Sequence, residues 1–256
     1  MVGSYLIFTD SVEGRAKIIL IVFVAVFGIM LFASLSIFKS YNELIDSPIP
    51  ANVEKIVTAS ELGSVSAKYS ISTWIYINDW NTNFGSVKNL ISYSRGTPSE
   101  SETNNTNFII QLTGNTNDLE IKIPLYNSTD SSETYTYNTI TVNNISIQKW
   151  VNIIVCVDSN NTDVYINGKL VSSTTYTTPA AQPTNQSTLY FAKGGQGFNG
   201  SISGSRYYNK FLTPQDCWTI YTDGFSNSLL GSFMNRYNAS IVFYKDRQTI
   251  NEINFM

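Results

Sequence analysis

Apolar and polar positions alternate along most of the chain after residue 67, and that period of two is its main signal. In Tyr69–Ile77 (YSISTWIYI), Ile71, Thr73, Ile75 and Ile77 fall on one side of an extended strand. Ser72, Trp74 and Tyr76 fall on the other. NLISYS, NFIIQLT, DLEIKIP and NTITVN repeat the habit, separated by turns rich in Asn, Ser, Thr and Gly. In the stretch from Trp150, Val151, Ile153, Val155 and Val157 form an apolar face, DSNN turns the chain and TDVYI returns it. Asn167-Gly168 then supplies the pair of positive φ angles that a type I′ hairpin needs. TLYFA and GSISGSRYY add two further strands. This many strands, each offering one apolar face, predicts an all-β fold: two antiparallel sheets packed as a sandwich around a shared core.

Two segments break the period of two. In LTPQDCWTIYTDG, Thr213 is placed as an N-cap, Pro214 at the first helical position and Asp216 as the return half of a capping box, with Gly224 able to end the helix. From Ile18 to Phe38 the chain runs 21 residues without a charge. At about 1.5 Å per residue that is about 31 Å, the thickness of a bilayer's hydrocarbon core. The rival reading is a cleaved signal peptide with Ser34 and Ser36 before the cut, but its apolar region is normally about 7–15 residues. A retained single span is therefore expected, flanked by Arg15 and Lys17 on one side and Lys39 on the other. Two basic residues against one orient the N-terminus to the cytosol. The expected organisation is a tail (1–17), an anchor in the lipid bilayer (18–38), a linker and first strand region (39–66), the sandwich (67–225) and a C-terminal extension (226–256). Within that extension ASIVFY has the pattern of one more strand between polar flanks that could cover a sheet edge or a partner.

Composition narrows the chemistry. The chain has no histidine, which removes the commonest general base, the histidine-dependent triads and most zinc sites. The net charge is −3, and from Ser40 onward 13 Lys and Arg face 17 Asp and Glu, so no basic stripe offers a nucleic-acid surface. The two cysteines, Cys156 and Cys217, stand 61 positions apart, and the sequence leaves their pairing open. Neither they nor the acidic residues show a framework, so the domain is expected to fold with neither disulfide nor metal. The seven N-x-S/T sequons are about the number that this composition yields by chance and decide nothing.

Three segments in order, SISTWIYINDW, KWVNIIVCVDSNNTDVYINGKLV and LYFAKGGQGFNGSISGSRYYNKFLTPQDCWTIYTDG, resemble the landmarks of a concanavalin A-like, laminin G-like jelly-roll domain. The resemblance covers about Lys68 to Phe225. It implies a lectin-like sandwich with a short capped helix near its end. The family often places an acidic residue just after the G-x-I of the penultimate landmark. Ser203-Gly204-Ser205 stands there instead, which counts against a rim metal. An N-terminal anchor joined to a domain opening on WIYINDW also resembles virion and membrane proteins of large DNA viruses. That second resemblance implies a minor capsid or virion-membrane component docking against other structural proteins.

The fold hosts hydrolases, lectins and adhesion modules alike, so function has to come from a site. Hydrolases of the laminarinase type carry E-x-D-x-(x)-E on one strand. Here Asp118-Leu119-Glu120 offers two same-face carboxylates without a third, and Lys122 on that face reads as a solvated edge. No enzymatic activity is expected. Calcium is the one cofactor with any ligand set, through Asp79, Asp158 and Asp163, each of which has an ordinary role as a turn-former. For a glycan, Trp80 in the polar run NDWNTN stands beside Asp79 and Asn81, an aromatic ring next to groups that bond hydroxyls. Alternation does not say which face of Trp74 and Tyr76 is covered, and Trp218 on the capped helix reads as a packing residue. The leading reading is a membrane-anchored binding or structural protein, with carbohydrate attachment the specific alternative and glycan hydrolysis the less favoured one.

Overall fold

Strands between Asn42 and Tyr208 pair antiparallel throughout and build two sheets. The computed structural model describes residues 41–63, 65–95, 106–126 and 135–225, the backbone of 239–245 and 248–255, and Val22. Apart from Val22, the run Ile18–Phe38 and its flanks Arg15, Lys17 and Lys39 lie outside the described residues. Among the described residues no helix is long and apolar enough to cross a membrane.

The first sheet runs in the order β1 (Asn42–Ile45), β13 (Gly200–Tyr208), β4 (Tyr69–Ile77), β9 (Trp150–Val157), β10 (Asn161–Ile166) and β11 (Lys169–Thr175). A short β2 (Ile49–Pro50) also pairs with β13. The second runs β3 (Lys55–Val57), β12 (Thr188–Phe191), β5 (Lys88–Ser94), β6 (Thr106–Leu112), β7 (Leu119–Tyr126) and β8 (Tyr135–Val142). The inward rows are those the alternation marks. Ile71, Ile75 and Ile77 of β4 and Val151, Ile153 and Val155 of β9 meet Phe108, Ile110, Leu119 and Ile121 in one buried core. Each such side chain contributes on the order of 1.5–3 kcal/mol by leaving water. Segment 39–66, expected as a linker with a first strand, supplies three strands: β1 and β2 at one edge and β3 at the other. It also holds a one-turn helix, α1 (Ala59–Leu62), whose Thr58/Glu61 capping box the sequence reading passed over.

The outer face of the first sheet is covered as well. Helix α2 (Pro214–Asp223) forms where expected, with the Thr213 hydroxyl accepting from the Asp216 N–H and Pro214 at the first position. Beneath it Ile154, Cys156, Tyr165, Tyr208, Leu212, Cys217 and Ile220 make a second, smaller core. Trp74 stacks on Tyr221 at 5.8 Å between centroids, and Trp150 stacks on Phe225 at 4.4 Å. Strand β4 is thus buried on both sides, which alternation alone left undecided. Gly204 makes the close approach feasible: its φ is +53°, and a Cβ there would stand 3.0 Å from the Phe225 backbone. Trp218, read as a packing residue, packs against Tyr221 with ring centroids 5.6 Å apart and lies over Gly168, with 44% of its surface still exposed. Further along, β14 (Ala239–Lys245) pairs with β15 (Gln248–Phe255) as a separate two-stranded sheet, so one expected polar flank is itself a strand.

Candidate functional site

The connection leaving β4 carries the predicted residues Asp79, Trp80 and Asn81. Asp79 turns the chain on itself: one carboxylate oxygen accepts the Asn81 N–H at 2.9 Å, and the other accepts from the Asn199 side-chain amide. Asn81 is exposed, while Trp80 is half-buried against the edge of the main core. The indole N–H donates to the Gly114 carbonyl at 3.1 Å. Lys88, at the start of β5, is fully buried. Its ammonium donates to the carbonyls of Asn83 (3.1 Å), Ser86 (3.3 Å) and Gly114 (3.3 Å), and lies 4.4 Å from the centre of the Trp80 ring. Burial pulls the lysine pKa below its ordinary value. One cation therefore staples the Trp80 loop to the turn between β6 and β7, and holds the indole in a set orientation.

The facing side of the site is that turn. Thr116 Oγ1 donates to Asp118 Oδ2 at 2.7 Å, and the Asn144 N–H donates to Asp118 Oδ1 at 2.9 Å. These two bonds hold the Asp118 carboxyl below its ordinary pKa. Asn117 and Ile145 exchange two bonds, from the Asn117 side-chain amide to the Ile145 carbonyl (2.8 Å) and from the Ile145 N–H to the Asn117 carbonyl (2.7 Å). Asn144 sits between them in the left-handed region, at φ 58°. The result is a groove of about 590 Å³ at this end of the sandwich. Its lining is Trp80, Ile147, Thr116, Asp118 and the amides Asn115, Asn117, Asn143 and Asn144. An aromatic ring beside a cluster of amides and one carboxylate suits a ligand rich in hydroxyl groups. Trp80 thus joins residues that are remote in sequence, while Asp79 and Asn81 only shape its loop.

A second groove, of about 370 Å³, lies on the outer face of the six-stranded sheet and went unrecognised in the sequence. The pairings Asn89↔Gln111 and Gln111↔Glu120 line up polar side chains across β5, β6 and β7. Gln111 donates to Glu120 at 2.7 Å, and Lys122 stands 3.7 Å from the same carboxylate. Tyr137, 38% exposed, and Lys193 complete the walls. Each strand alone shows only polar alternation, and the row exists once the register is known.

The expected calcium set is not assembled. Register places Asp158 beside Tyr69 at the start of β4, whereas Asp79 lies beyond its far end, about 30 Å away at the usual rise per residue. Asp158 pairs with Lys68 at 2.8 Å and accepts the Ser159 N–H at 2.6 Å. Asp163 accepts from Ser173 at 2.6 Å and Asn161 at 3.1 Å. Among the described residues no three His, Cys, Asp or Glu side chains gather to hold a metal ion. Asp118 and Glu120 also part company, the first on the rim groove and the second on the sheet face.

Residues 52–217 match the family described as the Concanavalin A-like lectin/glucanases superfamily. No curated protein matches the chain. Among solved structures, the receptor binding domain of botulinum neurotoxin mosaic serotype C/D is 16% identical with a TM-score of 0.50, covering 69% of this chain and 41% of that one. The receptor binding domain of botulinum neurotoxin D is 16% identical with a TM-score of 0.49, covering 70% and 45%. Domain 4 of AbnA, a GH43 extracellular arabinanase from Geobacillus stearothermophilus, in complex with arabinotriose, is 20% identical with a TM-score of 0.42, covering 64% and 69%. The chain spans about two fifths of the length of the first of these, and at 16% identity that likeness is one of fold.

Proposed function

This chain belongs to the Concanavalin A-like lectin/glucanases superfamily, and from that premise we propose that it is a binding module whose rim groove takes a glycan. The observation that carries the reading is the groove at Trp80, where an oriented indole faces the amides of Asn115, Asn117, Asn143 and Asn144. An indole ring offers apolar surface to the C–H side of a sugar ring, and the amides exchange hydrogen bonds with its hydroxyls. Binding without hydrolysis is the accompanying proposal. Glycoside cleavage calls for two carboxyl groups set about 5–9.5 Å apart across the bond, and among the described residues Asp118 is the one carboxylate that lines this groove. The apolar run Ile18–Phe38 completes the proposal as a single membrane tether, with a cytosolic N-terminus and the sandwich displayed across the bilayer.

The test is a glycan array probed with the detergent-solubilised full chain, wild type beside Trp80→Phe and Asn143→Ala. Trp80→Phe keeps the bulk of the ring and loses its N–H, and Asn143 is exposed, so both variants should fold. Asn143→Ala is expected to weaken a bound glycan by about fivefold or more, the equivalent of about one hydrogen bond, and Trp80→Phe by a similar factor through its smaller ring surface. Gln111→Ala, on the sheet face, should leave affinity unchanged; the opposite pattern would move the ligand to that face. Absence of glycan binding, together with capture of the wild type by a structural protein of its membrane or particle, would favour the docking reading instead. Release of reducing sugar that is abolished by Asp118→Asn would overturn the proposal of binding without catalysis.

A further inference from the structure

The seam between the first sheet and α2 holds both cysteines of the chain. Along β9 the alternation sends Val151, Ile153, Val155 and Val157 into the main core, and Ile154 and Cys156 outward beneath the helix. Register sets Ser70 of β4 opposite Cys156. Its hydroxyl donates to the Lys210 carbonyl at 2.8 Å and accepts the Leu212 N–H at 3.2 Å, so the segment entering α2 is pinned beside Cys156. The Thr213 cap then starts the helix, and the Cys217 N–H closes its first turn on the Thr213 carbonyl at 3.0 Å. That turn brings Cys217 down onto the sheet. Both cysteines are fully buried, and both pack in the same small cluster between the sheet and the helix.

Against the sequence-based expectation of a fold without a disulfide, we propose that Cys156 and Cys217 are a cross-linking site, and that in an oxidising environment they form a disulfide joining β9 to α2. The oxidant is an external disulfide, a small molecule or an oxidoreductase. A Cys156 thiolate attacks one of its sulfurs and releases the other as a thiol. The Cys217 thiolate then attacks the mixed disulfide and expels the second thiol. Two protons leave the protein, and its two electrons reduce the external disulfide to two thiols. The roles follow from the seam. The neighbouring Cys217 side chain holds the Cys156 thiol below its ordinary range, whereas Cys156 and burial push Cys217 up. Because both sulfurs are buried, exchange takes place as α2 docks during folding. The bond ties together segments 61 positions apart and fixes the helix over Trp74, whatever ligand the rim groove takes.

The test equilibrates the detergent-purified full chain, during refolding, with excess oxidised over reduced glutathione. The chain is then denatured in an alkylating reagent without reductant and weighed intact. The expected result is a mass two hydrogens below the dithiol, no alkyl group, and one peptide pair containing Cys156 and Cys217 in a non-reducing digest. Two alkyl groups, two glutathione adducts or an intermolecular dimer would each overturn the assignment. A second reading guards against a bond without structural effect. Reductant should lower the melting temperature of the oxidised wild type by roughly 5–12 °C, and should leave Cys217→Ala unmoved. A wild type that melts at the same temperature with and without reductant would overturn the role as a tie between helix and sheet.

Discussion

Lys88 is the residue on which the rim groove depends most. A buried ammonium is costly unless its donors are used, and here three carbonyls and the Trp80 ring surround it. Lys88→Met keeps most of the stem and leaves those carbonyls without their shared donor. It is expected to cost about 2–3 kcal/mol, read as a fall of roughly 5–10 °C in a thermal melt. A shift in Trp80 fluorescence should accompany it, because the indole loses the cation at its face. Asp118 offers a different readout. The bonds from the Thr116 hydroxyl and the Asn144 N–H lower its pKa beneath the ordinary 3.8. The folded state thus favours the carboxylate, and its contribution is complete above the unfolded value and lost as pH falls through the lower folded value. The Asn144 amide resonance should accordingly titrate with a midpoint below 3.8. In Asp118→Asn it should stay flat through that range. A midpoint above the ordinary value would refute the two-bond geometry.

Turns and caps are where the sequence was most legible, since their chemistry is local. Asn167 and Gly168 adopt φ 50° and 72°, as the hairpin reading required. The Thr213–Asp216 box closes as its spacing implied. Tertiary consequences were not legible in the same way. Gly168 also lies under α2, where a Cβ would come 3.0 Å from both Trp218 and Tyr221. Gly168→Ala should therefore cost about 1–2 kcal/mol, the usual left-handed penalty plus a displaced helix, measurable by urea unfolding. Thr213→Ala should cost about 1 kcal/mol, as the loss of a capping side chain does. The covering of Trp74 was hidden for a physical reason: its lid comes from Tyr221 and Phe225, about 150 positions later, and no period in β4 encodes it. The rim groove was half visible. Trp80 stood out as an aromatic in a polar run, but Asn115, Asn117, Asn143 and Asn144 looked like ordinary turn residues until the fold brought three loops together.

At the scale of the molecule, both sheets are finished by the segment just ahead of the clearest strand pattern. β1 and β2 pair with β13, and β3 pairs with β12, so Asn42–Val57 supplies an outer strand to each sheet. Leu44, Ile45, Ala51 and Val57 go into the main core from this stretch, and Leu62 from the one-turn helix after it. Lys55 reaches back to the Leu44 carbonyl at 2.8 Å and ties the segment to itself. These strands are short and irregular, which is why alternation marks the sandwich only from residue 67. A fragment beginning at Lys68 would look complete by pattern, yet it would uncover the backbone edges of β13 and β12. It would also forgo burial of several aliphatic side chains worth about 1.5–3 kcal/mol each. That loss is comparable to the whole stability of an ordinary domain, about 5–15 kcal/mol, and bare strand edges invite pairing between chains. The fragment Tyr41–Met256 is therefore expected to be monomeric, with a single cooperative melt. The fragment Lys68–Met256 should aggregate on expression or elute as a heterogeneous assembly without such a transition. Size-exclusion chromatography and circular dichroism melts of the two fragments decide it. A soluble Lys68 fragment melting within a few degrees of the longer one would mean that these edge strands add little to the fold.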